Sequence, residues 1–184
     1  MCAAPILRAA LALLAAAAAA GASAGGFALR SPDVVDGTVL ARAQVYDADG
    51  CGGGNLSPAL AWSAAPAGTR SFAVTVVDPD APAGPWWHWV LFDLRADAVS
   101  LARGAGSPGA RPAGTRQTPN DFGTPGYAGA CPPPGDAPHR YVFTIHALNT
   151  DRLQVAPDAS AAQAAALIRA AELGHASISA RFGR

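Results

Sequence analysis

The chain has 184 residues, and its 13 basic and 13 acidic side chains give a formal net charge of zero at pH 7. This balance argues against a nucleic-acid-binding protein that relies on a basic surface. With 51% hydrophobic and 14% charged residues, the chain is too apolar for intrinsic disorder and long enough to bury one core. Its 20 glycines and 16 prolines follow no repeat, so they indicate turns between many short elements.

The first 24 residues differ from the rest and are typical of an export signal. Arg8 precedes an apolar run at residues 9–20, and the small residues 21–24 form a cleavage site of the A-x-A type. A run of about a dozen apolar residues is too short to cross a bilayer, which takes roughly 20. We therefore predict a cleaved signal peptide at residues 1–24, one domain at residues 25–184, no transmembrane span, and a periplasmic or secreted location.

Export would leave two cysteines, Cys51 and Cys131, in an oxidising compartment. Their spacing fits neither a zinc site nor a C-x-x-C redox motif. The sequence therefore predicts a Cys51–Cys131 disulfide, with two free buried thiols as the alternative.

Taken in chain order, the mature part begins with segments that are typical of β-strands. They alternate or are rich in β-branched and aromatic residues, and they cover residues 38–46, 71–78, 87–94 and 140–148. Long connections rich in glycine and proline separate them, as in an antiparallel β-sandwich.

The last part of the chain predicts a helix and a closing strand. Alanine, leucine and isoleucine dominate residues 159–173, with Asp158 or Ser160 as the N-cap and Gly174 as the stop signal. Apolar and polar residues then alternate over residues 176–182, which is the period of a half-buried strand. The predicted fold is therefore mainly β, with a C-terminal helix and a final strand.

The first candidate site segment follows the predicted strand at residues 71–78. Asp78 shares a face with apolar residues of that strand, and two prolines make the Asp78-Pro79-Asp80-Ala81-Pro82 corner rigid. The corner displays two carboxylates, Asp78 and Asp80. The alternative is a turn in which the aspartates cap backbone N–H groups.

The second segment is Gly84-Pro85-Trp86-Trp87-His88-Trp89-Val90. On a regular strand His88 shares a face with Trp86, Val90 and Phe92, so its ring lies beside apolar side chains. A histidine in such a place is more often a core residue, but tryptophan supplies both an apolar wall and an N–H donor. These neighbours favour a pocket wall.

The third segment is a loop that enters the strand at residues 140–148. His139 and Tyr141 point to the same face at the start of that strand. The preceding loop, rich in glycine and proline, could present backbone N–H groups to an anion, although each proline removes a donor. Together the three segments predict a pocket for a phosphate or another small anion.

Other chemistries have weaker support. No spacing of the H-x-H or H-E-x-x-H kind supports a metal site, and no G-x-S-x-G elbow supports serine hydrolysis. No P-loop or dinucleotide motif is present in the sequence, so we expect no cofactor. A hydrolase that uses Asp78 and His88 as an acid–base pair stays open as a minor alternative.

The same segments, taken together, resemble the phosphatidylethanolamine-binding protein family, also called the Raf kinase inhibitor protein family, in its bacterial YbhB/YbcL-type branch. The resemblance runs from about residue 27 to residue 184. Its motifs are Asn55 to Trp62, Asp78 to Pro82, Trp86 to Trp89, Asn120 to Gly123 with Gly126-Tyr127, Cys131 to Gly135, and His139 to Tyr141.

The resemblance implies a β-sandwich with an anion pocket at one end. The matching ligand-binding positions are Asp78, His88, His139 and Tyr141, with Trp86 as an outer wall and Asp80 as a supporting carboxylate. The loop from Gly129 to Pro134, including Pro132 and Pro133, forms the rim. An additional C-terminal helix of the eukaryotic members is not evident in this sequence.

Two functions of different classes follow. The first is an exported binding protein that holds a small phosphorylated or otherwise anionic ligand without catalytic turnover, since donors and a carboxylate are present without a placed nucleophile. The second is a protein-interaction module that inhibits a protease or kinase-like partner through its loops at residues 102–114 and 121–138.

Overall fold

A computed structural model describes residue 1, residues 26–107 and residues 109–184. Apart from Met1, the predicted signal peptide lies outside the described residues. The described chain contains eight strands and one α-helix: β1 Ala28–Arg30, β2 Leu60–Ser63, β3 Ser71–Asp78, β4 Trp86–Arg95, β5 Ser100–Leu101, β6 Arg116–Gln117, β7 His139–Leu148, α1 Ala161–Ala170 and β8 Glu172–Phe182.

The strands form two antiparallel sheets. The small sheet has the order β1-β2-β5, and the large sheet has the order β6-β4-β3-β7-β8. The main hydrophobic core contains residues of both sheets, with Leu29, Leu60 and Trp62 on one side and Phe72 and Phe143 on the other. The predicted sandwich of antiparallel sheets is confirmed.

The opposite face of the large sheet is covered by α1. Ala73, Val90 and Phe92 of the sheet pack with Ala164 and Ile168 of the helix in a second apolar cluster. Because successive side chains of a strand alternate between its faces, β3 and β4 contribute to both clusters.

The helix is shorter than the sequence predicts. Ser160 is the N-cap, and its side chain accepts a hydrogen bond from the Gln163 N–H in a capping box. The helix ends at Ala170, and Gly174 lies inside β8, where it pairs with Ala147. Here strand pairing with β7 begins earlier than the glycine stop signal predicts.

The strand predicted at residues 38–46 is wrong. This segment contains a 3-10 turn at Arg42–Gln44 and only isolated bridges, Val39 to Arg181 and Val45 to Ala130. Val39 is 78% exposed, whereas Gln44 is buried, so the loose alternation in the sequence does not correspond to one buried face. The segment runs along the end of β8 rather than inside a sheet.

A bulge in β4 changes the direction of His88. Val76 pairs with Trp89 and Val77 pairs with Trp87, so His88 is the additional residue between these two pairs. The expectation that His88 shares a face with Val90 and Phe92 is therefore wrong, because those two residues pack in the helix-side cluster. His88 instead lies with Trp86 along a cavity at the strand ends.

Candidate functional site

A cavity of about 310 Å³ lies where β3 and β4 meet the loops at the end of the sandwich. Most of its wall is apolar, and Asp78 and His88 are its two ionisable side chains. The lining residues are Asp78, Ala81, Pro82, Ala83, Trp86, His88, Phe122, Cys131 and Pro133.

Asp78 is the last residue of β3 and is buried, with 3% of its surface exposed. Its Oδ2 atom is 2.7 Å from Nδ1 of His139, and its Oδ1 atom accepts a hydrogen bond from the Asp80 N–H at 2.8 Å. The carboxylate therefore has both of the roles that the sequence left open. It caps the turn and also contacts a histidine.

His139 stands behind Asp78 and does not line the cavity. Its second nitrogen, Nε2, is 3.4 Å from Oδ2 of Asp136, outside the cavity lining. The ligand contact predicted for His139 stays a prediction; in the structure both of its nitrogens face carboxylates, and Nδ1 orients the carboxylate of Asp78.

His88 is fully buried and has a defined tautomer. Its Nδ1 atom lies 2.8 Å from the carbonyl oxygen of Ala128, which can only accept a hydrogen bond, so Nδ1 carries the hydrogen. Burial lowers the pKa of His88, partly offset by the bond to Ala128 and the nearby carboxylate of Asp78. The neutral ring therefore leaves Nε2 as an unprotonated acceptor.

Two buried donors near the cavity have no partner. The Tyr141 hydroxyl and the Trp86 indole N–H are both inaccessible to solvent and make no hydrogen bond within the described chain. The Tyr141 ring lies edge-on to His88, with centroids 5.2 Å apart. The backbone of Cys131 is close to the Tyr141 hydroxyl but makes no hydrogen bond of standard geometry with it. Burial raises the pKa of Tyr141, so the hydroxyl keeps its proton.

The rim loop is positioned by contacts that consume its donors. The Gly129 N–H donates to Oδ1 of Asn55 at 2.8 Å, and a Cβ on Gly129 would lie 2.4 Å from the Tyr46 nitrogen. Gly129 is thus required by close backbone packing and its N–H is not free for an anion, contrary to the expectation for this loop. Pro132 is buried and its carbonyl accepts from Arg184, whereas Pro133 lines the cavity.

Asp80 points away from the cavity and fixes the corner. Its carboxylate accepts three side-chain hydrogen bonds, from Nε and Nη2 of Arg140, and one hydrogen bond from the backbone N–H of the same residue. The guanidinium of Arg140 lowers the pKa of Asp80 to about 2. The pair joins the turn after β3 to the start of β7.

The sequence missed one important wall residue, Phe122. Its ring stacks on Tyr46 at 4.5 Å and lies edge-on to Trp86 at 5.4 Å. The signal was an aromatic residue in an otherwise polar turn, Asn120-Asp121-Phe122-Gly123. Cys131 also lines the cavity, and it is joined to Cys51 by a disulfide that bridges 80 residues of sequence.

Within residues 26–107 and 109–184, no three histidine, cysteine or carboxylate side chains are grouped so that they could hold a metal ion. No helix in the described part of the chain has the length and apolar character needed to span a bilayer.

A family model described as phosphatidylethanolamine-binding protein matches residues 30–183. The chain belongs to this family. It is 48% identical over 156 residues to UPF0098 protein YbhB of Escherichia coli, covering 84% of this chain and 98% of that protein. It is 36% identical over 200 residues to a Mycobacterium tuberculosis protein whose name describes it as the lipoprotein LppC, covering 97% and 95% of the two chains.

The fold is also found in a crystal structure of Escherichia coli YbcL, which is described as a new member of the mammalian PEBP family. The two structures superpose with a TM-score of 0.84 at 40% identity, over 87% of this chain and 99% of the other. The family and the bacterial YbhB/YbcL resemblance predicted from the sequence motifs are confirmed.

Proposed function

We propose that the chain is an exported binding protein that holds a small phosphate-type anion, such as a phospholipid head group or a phosphorylated small molecule, in the cavity beside Asp78 and His88. It does so without turning the ligand over in this cavity, because no serine, threonine or free cysteine among the described residues lines its wall. The leader-like residues 1–24 and the lipoprotein name of the relative LppC support export.

The observation that carries the proposal is the pair of unsatisfied donors. Leaving a buried hydroxyl or N–H without a partner costs about 1–3 kcal/mol per group. Trp86 lines the cavity and the Tyr141 ring packs against His88, so a side-chain shift on ligand entry would bring both donors to the anion and remove that cost.

The test compares two tyrosine variants by calorimetric titration with glycerophosphoethanolamine and with inorganic phosphate. Tyr141→Phe removes the unsatisfied hydroxyl, so we expect no loss of thermal stability and at least a tenfold loss of affinity, the equivalent of about 1.4 kcal/mol.

Tyr127→Phe is the matched control. The Tyr127 hydroxyl is also buried, but it already donates to the carbonyl oxygen of Gln44 at 2.7 Å. Its removal should lower stability and leave affinity unchanged. Equal affinity in the wild type and in Tyr141→Phe, or no binding of either probe by the wild type, would contradict the proposed site.

A further inference from the structure

A second cavity, of about 260 Å³, lies on the other face of the large sheet, beside the C-terminal half of α1. Unlike the first cavity, it is lined by several hydroxyl and ionisable side chains. Its lining residues are Thr75, Val77, Trp87, Thr144, His146, Ala165, Arg169, Glu172, His175 and Ser177.

Three of these side chains form a hydrogen-bonded chain. Oγ1 of Thr75 is 2.9 Å from Nε2 of His146, and Nδ1 of His146 is 2.5 Å from Oε2 of Glu172. Because an ionised carboxylate only accepts, Nδ1 carries the hydrogen, and Nε2 of the neutral ring accepts from the Thr75 hydroxyl. Burial lowers the pKa of His146, which favours this neutral form.

The order hydroxyl, imidazole and carboxylate is the arrangement of nucleophile, base and orienting group in acyl-transfer enzymes. Its members sit on rigid elements, since Thr75 and His146 lie on the paired strands β3 and β7. Glu172 is held from its other side by Nδ1 of His175 at 2.6 Å, so the carboxylate is fixed in place.

The cavity also contains a group that can stabilise negative charge. Arg169 lies in the last turn of α1 and, within residues 26–107 and 109–184, makes no ion pair with a carboxylate. Its guanidinium could face the oxygen of an ester carbonyl as charge develops on it. Trp87 supplies an apolar wall, and a volume of about 260 Å³ is enough for a short ester.

From these contacts we propose that the second cavity is an acyl-transfer site in which Thr75 attacks the carbonyl carbon of small esters. As the Thr75 oxygen bonds to that carbon, its proton passes to Nε2 of His146. The bond to the leaving alkoxide then breaks, and His146 returns the proton to the departing alcohol. Water attacks the acyl-Thr75 by the same route and releases the acid.

Turnover should be slow, and this sets the choice of assay. Thr75 is branched at Cβ and lies inside a strand whose backbone pairs with both neighbours, so no adjacent N–H is free to bind the oxyanion. Both steps are slowed by this, but the acyl-threonine is an unactivated alkyl ester, so we expect it to accumulate when the substrate is an activated aryl ester. The direct readout is the covalent adduct rather than the rate of product release.

The experiment incubates the protein with p-nitrophenyl acetate and maps the acetylated residue by peptide mass spectrometry. We expect one acetyl group on Thr75 of the wild type, faster labelling at this position in Thr75→Ser, and a loss of about a hundredfold in the labelling rate in His146→Gln. A purely structural threonine would show no gain with serine.

Thr144→Val is the matched control, because the Thr144 hydroxyl lines the same cavity but bonds to Ser177 at 2.8 Å. It should keep the wild-type labelling rate. The proposal is overturned if the wild type carries no acetyl group on Thr75, or if His146→Gln, shown to be folded by its thermal transition, labels Thr75 at the wild-type rate. If His146→Gln does not fold, Glu172→Gln and the serine variant give the same decision.

Discussion

Binding of an anion beside His88 should be accompanied by the uptake of a proton. In the empty cavity the ring is neutral, with its hydrogen on Nδ1 and bound to the Ala128 carbonyl. An anion that approaches Nε2 meets a lone pair and, across the cavity, the carboxylate of Asp78. Protonation of Nε2 converts this repulsion into a charged hydrogen bond, so the ligand raises the pKa of His88 from its lowered value.

The magnitude follows from the number of protons. Between the pKa of His88 in the free protein and its pKa in the complex, the bound state holds one more proton than the free state. Affinity should therefore fall about tenfold for each unit by which the pH rises in this window, equivalent to about 1.4 kcal/mol. Because burial lowers the pKa of His88 in the free protein, the decline should begin below the ordinary value near 6.5.

The assay needs a probe whose own charge is constant, since inorganic phosphate titrates near neutral pH. Dimethyl phosphate and sulfate both meet this requirement. Calorimetry in two buffers with different ionisation enthalpies gives the number of protons taken up, and titrations at several pH values give the slope.

His88→Gln keeps a donor for the Ala128 carbonyl but cannot take up the proton. It should bind weakly and with little dependence on pH. His139→Asn changes the other histidine, which contacts Asp78 at 2.7 Å, and leaves His88 in place. Affinity for dimethyl phosphate that stays constant from pH 5 to pH 8, with no proton uptake, would refute the argument.

Three further predictions concern stability. Because burial lowers the pKa of both His88 and His146, the unfolded chain binds more protons than the folded chain below about pH 6.5. Denaturant titrations should therefore show a lower free energy of unfolding at pH 5.0 than at pH 7.5, and equal values would contradict this. Reduction of the Cys51–Cys131 disulfide, which closes an 80-residue loop, should lower that free energy by about 4–5 kcal/mol in the chain-entropy model, measured with and without reductant. Asp93→Asn should lower the free energy of unfolding by about 3 kcal/mol, since it removes the carboxylate charge that lies 2.7 Å from Nε of the half-buried Arg116. A change below about 1 kcal/mol in a denaturant titration would show that this ion pair contributes little.

The sequence predicted the large sheet better than the rest of the fold. Strands β3, β4 and β7 are long and rich in β-branched and aromatic residues, and both faces of each are buried by the second sheet or the helix. Most of the small sheet was not predicted, because β1 has three residues and β5 has two. Strands this short are too brief to show an alternation of apolar and polar residues. The strand predicted at residues 38–46 failed because its alternation is produced by a turn and isolated bridges.

For the candidate site, the sequence predicted several residues that lie close together at the cavity, but it did not predict the contacts that each of them makes. Asp78, Trp86, His88 and Pro133 do line one cavity. The position of His139 behind Asp78 depends on how β7 approaches the end of β3, and no local pattern encodes that approach. The direction of His88 depends on a single additional residue in the pairing of β4 with β3. The alternation of apolar and polar residues in the sequence does not predict such a bulge.

The bulge in β4 places two adjacent residues in the two cavities on opposite faces of the large sheet. Trp87 lines the helix-side cavity, and the next residue, His88, lines the strand-end cavity. The N–H of Trp87 donates to Oδ2 of Asp121 at 2.8 Å, and its carbonyl oxygen accepts from the Asp121 N–H at 2.9 Å. The backbone of Trp87 is therefore anchored to the loop that contains Asp121. A ligand that shifts the backbone of Trp87 in one cavity would also shift His88 in the other, because the two residues are directly bonded. This bond would couple ligand binding on the two sides of the sheet.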